Sequence, residues 1–216
     1  SEPLKQRVIT AYRARGAVMA MPSSVDKKVF HTRDRLTTRR ALGLPENALL
    51  IGTAGALYQN RGIDTLYNAW PIIAAQNPDV QLVLAGRLDK NLAPPFGERI
   101  HYLGMLPHAR TAELFNALDV GIIYLRDTVF GRFCFPQKAY EMLACNLPIV
   151  AARSGVMEHL LASIPTALYR ADDSEDLKRA VLTQLADPHL ANVPVQDWAE
   201  IIGGMEKKLF ALTRIK

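Results

Sequence analysis

The chain has 216 residues, of which 49% are hydrophobic, and a chain of this length can bury a substantial core. Its 26 basic and 21 acidic residues give a formal net charge of +5, and the basic residues are spread along the chain. This pattern fits a phosphate-bearing ligand or an anionic surface but is weak evidence for nucleic acid, so no nucleic-acid partner is expected.

The two cysteines, Cys134 and Cys145, lack the spacing of metal ligands, so the sequence predicts neither a disulfide framework nor a zinc site. No metal and no bound cofactor are expected. No apolar run approaches the roughly 20 residues that a membrane-spanning helix needs. Residues 1–16 lack the apolar core of a signal peptide. We therefore expect a cytoplasmic protein with at most peripheral contact with a membrane.

Short apolar runs rich in Val, Ile and Leu alternate with longer segments of helical period, which predicts an α/β fold. The expected architecture is a doubly wound, Rossmann-like parallel sheet with helices on both faces. The predicted strands are 49–55, 80–86, 99–104, 119–125, 147–152 and 166–170. The predicted helices are 63–76, 111–117, 136–145, 156–162 and 174–186.

The two ends of the chain differ from this alternating pattern. Residues 18–30 are predicted as a strand entering a turn, and residues 33–45 as a basic helix that stops at a Gly and a Pro. Residues 195–216 are predicted as a final helix, weakened at Gly203 and Gly204. These ends are expected to pack against something other than the sheet.

The segment "GTAGALYQNRG", residues 52–62, joins a predicted strand to a helix through small residues. It matches neither the G-x-G-x-x-G fingerprint nor a P-loop, which argues against an NAD-dependent Rossmann enzyme. Gly55 and Gly62 allow a ligand to approach the backbone closely. Arg61 has two interpretations at this point, a phosphate clamp or a solvated surface charge.

Lys138 lies in the first turn of the helix predicted after Pro136, where free amides and the helix dipole favour an anion rather than a cation. Glu141 follows one turn later on the same stripe. One interpretation places Lys138 on a phosphate and Glu141 on a pair of sugar hydroxyls. The other is a Lys138–Glu141 surface pair, worth only a few tenths of a kcal/mol.

A second helix start that suits an anion follows the strand at 147–152. Ser154 is a candidate cap of that helix, and Gly155 lies at its beginning. Glu158 and His159 are expected at the surface, because nothing places a nucleophile near them. The sequence contains no convincing catalytic triad, metal cluster or carboxylate pair.

In this order, the segments resemble the carboxyl-terminal half of GT-B glycosyltransferases of family 4, the group 1 glycosyl transferases. The resemblance rests on five segments: "MPSSVDKKVF", "GALYQNRG", "VQLVLAG", "HYLGMLP" with "LFNALDVGIIYL", and "FPQKAYEMLACNLPIVAARSGVMEHL". The last of these is similar to the Pro-x-Lys-x-x-Glu variant of that family. The match covers nearly the whole chain.

The resemblance implies roles for the residues that match. Arg61 takes the place of the basic residue that holds the donor diphosphate, flanked by Gly55 and Gly62. Glu141 takes the place of the glutamate that binds the nucleotide ribose, and Lys138 that of the variant's lysine near the donor. Phe133 stands where many members carry a further glutamate, eight residues before Glu141.

The resemblance also implies a division of the chain into three parts. Residues 1–20 are a remnant of a preceding domain and an interdomain linker, 21–190 a donor-binding domain, and 191–216 a crossover helix. An acceptor glycan, lipid or small molecule would bind a missing amino-terminal domain, without which the chain is expected to be inactive.

The function that the resemblance implies is retaining, metal-independent transfer of a sugar from a nucleotide diphosphate sugar. Arg61 and Lys138 are the expected catalytic residues. Gly55, Gly62, Glu141, Ser154 and Gly155 complete the expected binding set. The alternatives are a non-catalytic nucleotide or phosphate-binding module and a GT-B-type sugar-nucleotide epimerase.

Overall fold

The computed structural model describes residues 1–213, which form one six-stranded sheet flanked by helices. The strands are β1 (Leu49–Leu57), β2 (Val80–Leu88), β3 (Ile100–Tyr102), β4 (Val120–Ile123), β5 (Ile149–Ala152) and β6 (Leu168–Tyr169). The α-helices are α1 (Glu2–Ala11), α2 (Arg35–Leu42), α3 (Ile63–Gln76), α4 (His108–Ala117), α5 (Val129–Phe133), α6 (Gln137–Ala144), α7 (Val156–Leu160), α8 (Ser174–Ala186) and α9 (Trp198–Thr213).

All strand pairs are parallel, and the strand order is β3-β2-β1-β4-β5-β6. The predicted doubly wound, Rossmann-like sheet is therefore confirmed. The order reverses between β1 and β4, so the connections that leave these two strands diverge at their carboxyl ends. That divergence opens a crevice at this edge of the sheet.

The strands form because their apolar residues run almost without interruption, as strands buried on both faces require. Leu82, Val83 and Leu84 of β2 are all fully buried. The helix predicted at residues 63–76 is confirmed as α3, and it continues through Pro71. The core lies between the sheet and the two helix layers.

The strand predicted at residues 18–30 is wrong. This segment is extended coil with a turn, and its one β-bridge in the described part of the chain joins Val25 to Asp197. The polar residues of the segment bond to other elements instead of to a ladder: the Ser24 hydroxyl donates to the Gln196 carbonyl, and the Gln137 side chain contacts Ser23 and Ser24. The segment therefore ties α6 to the start of α9.

The predicted final helix forms as α9 and passes through Gly203 and Gly204, while residues 214–216 of that prediction lie outside the described residues. The three-part division of the chain stays a prediction. No helix within residues 1–213 is long and apolar enough to cross a bilayer.

The predicted basic helix is α2, and one of its cations, Arg39, holds the fold together. Arg39 is 3% exposed. Its guanidinium donates to Asp119, at 2.7 Å, and to the carbonyls of Ala117, Glu46 and Ala48. A buried arginine with this many acceptors is a structural residue.

Candidate functional site

A cavity of about 510 Å³ lies at the carboxyl edge of β1 and β2, beside the amino-terminal end of α6. Ligands of open α/β sheets bind at this edge, close to the reversal of strand order. The wall combines backbone of the two strand ends with side chains of α4 and α6. Its lining residues include Gly55, Ala56, Tyr58, Gly86, Arg87, Met105, Leu106, His108, Thr111, Gln137, Lys138 and Glu141.

Lys138 is the second residue of α6, after Pro136 at the cap position. Its Nζ lies 3.4 Å from the Thr53 hydroxyl oxygen and 4.3 Å from the centroid of the Tyr124 ring. Among the described residues, no carboxylate oxygen lies within 4 Å of this Nζ. The ammonium group is therefore held by uncharged neighbours, at a helix end that already favours an anion.

The pKa of Lys138 is lowered to about 8, mainly by burial and in smaller part by the positive charge of Arg61, whereas the negative charge of Glu141 opposes the shift. A cation that is desolvated and has no close carboxylate is stabilised when an anion arrives. The surface-pair interpretation of Lys138 and Glu141 is wrong, because both groups line the cavity and no ion pair joins them.

Glu141 lies one turn further along α6 and is 9% exposed. Burial raises the pKa of its carboxyl above the usual range, and the charges of His108 and Lys138 act in the opposite direction. No hydrogen bond to its side chain is present among residues 1–213, so both carboxylate oxygens can accept from a ligand. A pair of adjacent hydroxyls is the ligand group that suits two free acceptors.

Arg61 closes the short 3₁₀ turn Gln59–Arg61 and is not among the residues that line the cavity. Its guanidinium stacks on the Phe130 ring, 4.2 Å from the centroid. Gly62, at φ +97°, allows the chain to pass from this turn into α3. Arg61 is thus an exposed cation held in place by an aromatic ring, and its charge reaches Lys138.

Gly55 lies directly beside Lys138. A Cβ at Gly55 would be 3.9 Å from Nζ of Lys138, and the residue has φ +114°. The glycine therefore leaves the backbone bare at the point where the lysine ammonium faces the cavity.

The structure does not place Ser154 as a helix cap. The cap position of α7 is Gly155, with no side-chain cap bond, and the Ser154 hydroxyl is buried without a hydrogen-bond partner. A Cβ at Gly155 would lie 2.0 Å from the Arg132 carbonyl oxygen, and one at Gly131 would lie 3.7 Å from the Ser154 hydroxyl oxygen. These two residues pack against α5, outside the wall of the cavity.

Helix α5 was not expected from the sequence, and it lies between the end of β4 and α6. Phe133, its last residue, is covered by the guanidinium of Arg7 from α1, 5.0 Å from the ring centroid. Phe130 of the same helix supports Arg61. The short helix therefore supplies aromatic rings to two arginines, Arg7 and Arg61.

Several residues near the cavity were missed by the sequence argument. Tyr124 follows β4 directly, and His108 begins α4 after the Leu-Pro pair at 106–107. Once the strand order is known, the end of β4 and the start of α4 place Tyr124 and His108 near the cavity. A polar residue directly after a buried strand was the signal that could have identified Tyr124.

The family model described as Glycosyl transferases group 1 matches residues 48–187. The D-inositol 3-phosphate glycosyltransferase of Stackebrandtia nassauensis is 31% identical over 192 residues, which cover 81% of this chain and 42% of that protein. The GDP-mannose-dependent monoacylated alpha-(1-6)-phosphatidylinositol monomannoside mannosyltransferase of Corynebacterium glutamicum is 26% identical over 208 residues, 85% of this chain and 51% of that protein. The chain spans about half the length of these curated relatives.

Three solved structures show the same fold. Sucrose-phosphate synthase from Thermosynechococcus elongatus has a TM-score of 0.74 at 22% identity, covering 97% of this chain and 57% of that one. Anabaena Alr3699/HepE, solved in complex with UDP and glucose, has a TM-score of 0.72 at 20% identity, covering 95% and 61%. The carboxyl-terminal domain of LpcC, a glycosyl transferase group 1 family protein from Francisella tularensis, has a TM-score of 0.62 at 16% identity, covering 84% and 98%.

The family model covers well over half of the chain, and the strand order matches the Rossmann-like fold predicted from the sequence. The chain belongs to the group 1 glycosyl transferases, and its fold is that of the carboxyl-terminal half of a GT-B glycosyltransferase.

Proposed function

We propose that this chain is the donor-binding domain of a glycosyltransferase and that its cavity binds a nucleotide diphosphate sugar. One observation carries the proposal: the Lys138 ammonium lies over the bare backbone of Gly55 without a close carboxylate, in the same cavity as the buried Glu141. A site with an uncompensated cation at a helix start and a free carboxylate one turn away suits a phosphate next to a ribose.

In this proposal Lys138 and Arg61 bind the diphosphate, and Glu141 accepts hydrogen bonds from the ribose hydroxyls. Gly55 and Gly62 keep the loop free of side chains where the phosphates approach. Ser154 and Gly155 contribute by packing against α5, which carries the ring that supports Arg61. A donor-binding domain of a glycosyltransferase needs groups of both kinds, cations for the diphosphate and a carboxylate for the ribose.

The chemistry proposed for this site is electrostatic. When the glycosidic bond to the donor breaks, negative charge grows on the leaving diphosphate, and the two cations and the α6 amides stabilise that charge. We propose metal-independent transfer on this basis, with the charges of Arg61 and Lys138 in the role that a divalent cation plays elsewhere. Retention of configuration is proposed from the family resemblance.

The relatives support a nucleotide sugar without selecting one. The Corynebacterium protein is named for GDP-mannose, and the Anabaena structure contains UDP and glucose. We therefore propose the class of donor and leave the base and sugar to measurement. We propose that the acceptor is a glycan, a lipid or a small molecule bound by a second domain. We also propose that residues 1–216 by themselves bind the donor without transferring its sugar. A cytoplasmic location with peripheral membrane contact belongs to the same proposal.

The test is a thermal-shift panel of UDP-glucose, GDP-mannose, ADP-glucose and NAD. A ligand at about a hundredfold over its dissociation constant stabilises a fold by roughly 2.7 kcal/mol. One nucleotide sugar is expected to raise the melting temperature of the wild-type chain. The rise should be lost in Lys138→Ala and Glu141→Gln but kept in Lys27→Ala and Glu175→Gln, which alter exposed residues elsewhere.

Two results contradict the proposal. The first is a shift with NAD alone. The second is no shift with any nucleotide sugar while the folded state is intact by circular dichroism. Equal shifts in Lys138→Ala and in the wild type would place the nucleotide in a different part of the molecule.

A further inference from the structure

Tyr124 contacts two parts of the candidate site at once. It follows β4 directly, is 3% exposed, and its hydroxyl donates to the carbonyl of Ala56 at 2.7 Å. Burial raises the pKa of this phenol, so the hydroxyl keeps its proton and donates at neutral pH. The bond holds the end of β1, where the backbone of Gly55 and Ala56 lines the cavity.

The face of the same ring supports Lys138, whose Nζ is 4.3 Å from the ring centroid. The only side-chain hydrogen bond of that Nζ within residues 1–213 is the 3.4 Å contact with the Thr53 hydroxyl. An aromatic face attracts a cation through its quadrupole, most strongly where water is excluded. It does so without contributing a negative charge.

The neighbour of Lys138 is an aromatic ring instead of a carboxylate, and this difference matters for the binding of an anion. A carboxylate beside Lys138 would neutralise the ammonium and compete with any incoming phosphate. The ionisable groups that act on Lys138 are Arg61, which disfavours its charge, and Glu141 and Cys134, which favour it. The aromatic face therefore holds the ammonium in position and leaves its charge available to an anion.

We propose that Tyr124 is a positioning residue of the donor site, which holds Lys138 through its ring face and the Gly55–Ala56 backbone through its hydroxyl. The part of this proposal that concerns the ligand rests on the proposed function. The part that concerns Lys138 is a property of the unliganded protein, and it can be measured without any nucleotide.

The experiment replaces the ring in graded steps. Tyr124→Phe keeps the ring face, Tyr124→Met removes it at similar volume, and 3,4,5-trifluorophenylalanine at position 124 keeps the shape but weakens the ring quadrupole. The first readout is the pKa of Lys138, followed by NMR of its side-chain nitrogen and assigned by its loss in Lys138→Arg. The second is the affinity for the nucleotide sugar that stabilises the wild type.

We expect the pKa of Lys138 in Tyr124→Phe to equal the wild-type value, and that in the trifluorophenylalanine and Met variants to be lower. Tyr124→Phe keeps the ring but loses the hydroxyl bond to the Ala56 carbonyl, so its affinity should fall while the pKa of Lys138 is unchanged. Affinity should fall about a further tenfold when the ring is weakened or absent. A core-filling role alone would not change the pKa of Lys138 between two rings of the same shape.

The proposal is overturned if the phenylalanine and trifluorophenylalanine proteins show the same Lys138 pKa. This comparison remains available if Tyr124→Met fails to fold. Failure of the wild-type chain to bind any nucleotide sugar overturns the proposed function instead, while the NMR measurement still decides the role of Tyr124.

Discussion

The backbones of Gly86 and Gly55 touch at the ends of two paired strands. A Cβ at Gly86 would lie 1.8 Å from the carbonyl oxygen of Gly55, closer than any real contact. The two residues are register partners of β1 and β2, and their φ angles are +124° and +114°. The floor of the cavity is therefore built from bare backbone, which requires glycine at both positions.

Gly86→Ala is expected to lower the free energy of unfolding by more than about 2 kcal/mol, because the new methyl group collides with backbone at a φ that alanine rarely adopts. Denaturant unfolding monitored by circular dichroism measures the change. Gly204→Ala is the matched control: a Cβ there has nothing within 4 Å, and alanine in the middle of α9 should stabilise by up to about 1 kcal/mol. Equal stability of Gly86→Ala and wild type would refute the close contact.

Lys138→Met is expected to stabilise the unliganded protein while abolishing nucleotide-sugar binding. The lysine is buried without a close carboxylate, and the folded state lowers its pKa from 10.5 to about 8. At pH 7 the folded protein bears this desolvation cost, and a methionine of similar length does not. Urea unfolding together with calorimetric titration measures both effects, and a Lys138→Met protein that is less stable than wild type would contradict the account.

The same variant gives a pH signature with a definite sign. Between pH 8 and 10.5 the unfolded state holds the Lys138 proton that the folded state has released, so this group makes the wild-type protein more stable as pH rises. The stability advantage of Lys138→Met should therefore shrink across that window. A constant difference between the two proteins from pH 7 to 10 would show that Lys138 keeps an ordinary pKa.

Nucleotide-sugar affinity is expected to fall at both ends of the pH range. It should decline above about pH 8, as Lys138 loses its charge, and on the acid side as Glu141 takes up a proton at its raised pKa. Lys138→Arg serves as the control, because a guanidinium keeps its charge across this range while ionisation of the nucleotide itself affects both proteins equally. An alkaline decline of the same size in Lys138→Arg would show that loss of the Lys138 charge is not its cause.

Arg126 fixes the loop that carries Arg61. Its guanidinium donates to both carboxylate oxygens of Asp64 at 2.6 Å, to Asp172 at 2.7 Å, and to the carbonyl of Gln59 at 3.0 Å. Arg126→Ala leaves the partly buried carboxylate of Asp64 without its cation and is expected to cost roughly 2 kcal/mol of stability.

Faster amide exchange of residues 59–63 should accompany that loss, as native-state hydrogen exchange can measure. Arg132→Ala is the comparison, because its pair with Asp127 is more than half exposed and should matter by less than about 1 kcal/mol. If the two variants lose equal stability, Arg126 has no special role in this loop.

The sequence was sufficient to predict the sheet and the position of Lys138 in the first turn of α6, because both depend on local patterns. Runs such as residues 82–86 are apolar throughout, and a lysine in the first turn of α6 is conspicuous at a helix end. The family resemblance placed Glu141 next to it. The residues that form each of these patterns lie within a few positions of one another in the sequence.

Other features depend on contacts between distant parts of the chain. The strand expected at residues 18–30 does not form, because its polar groups bond to α6 and the start of α9. The sequence predicts Ser154 as the cap of a helix, but in the structure its hydroxyl is buried against α5. The contact between Tyr124 and Lys138 joins the end of β4 to α6, so a pattern of neighbouring residues does not predict it.

The most direct test of the donor site is a crystal structure of this chain with the nucleotide sugar that stabilises it most. We expect phosphate oxygens within hydrogen-bond distance of Lys138 Nζ and the ribose hydroxyls on the Glu141 carboxylate. A nucleotide bound elsewhere, such as in the groove beside Trp198, with the Lys138 cavity empty, would contradict it.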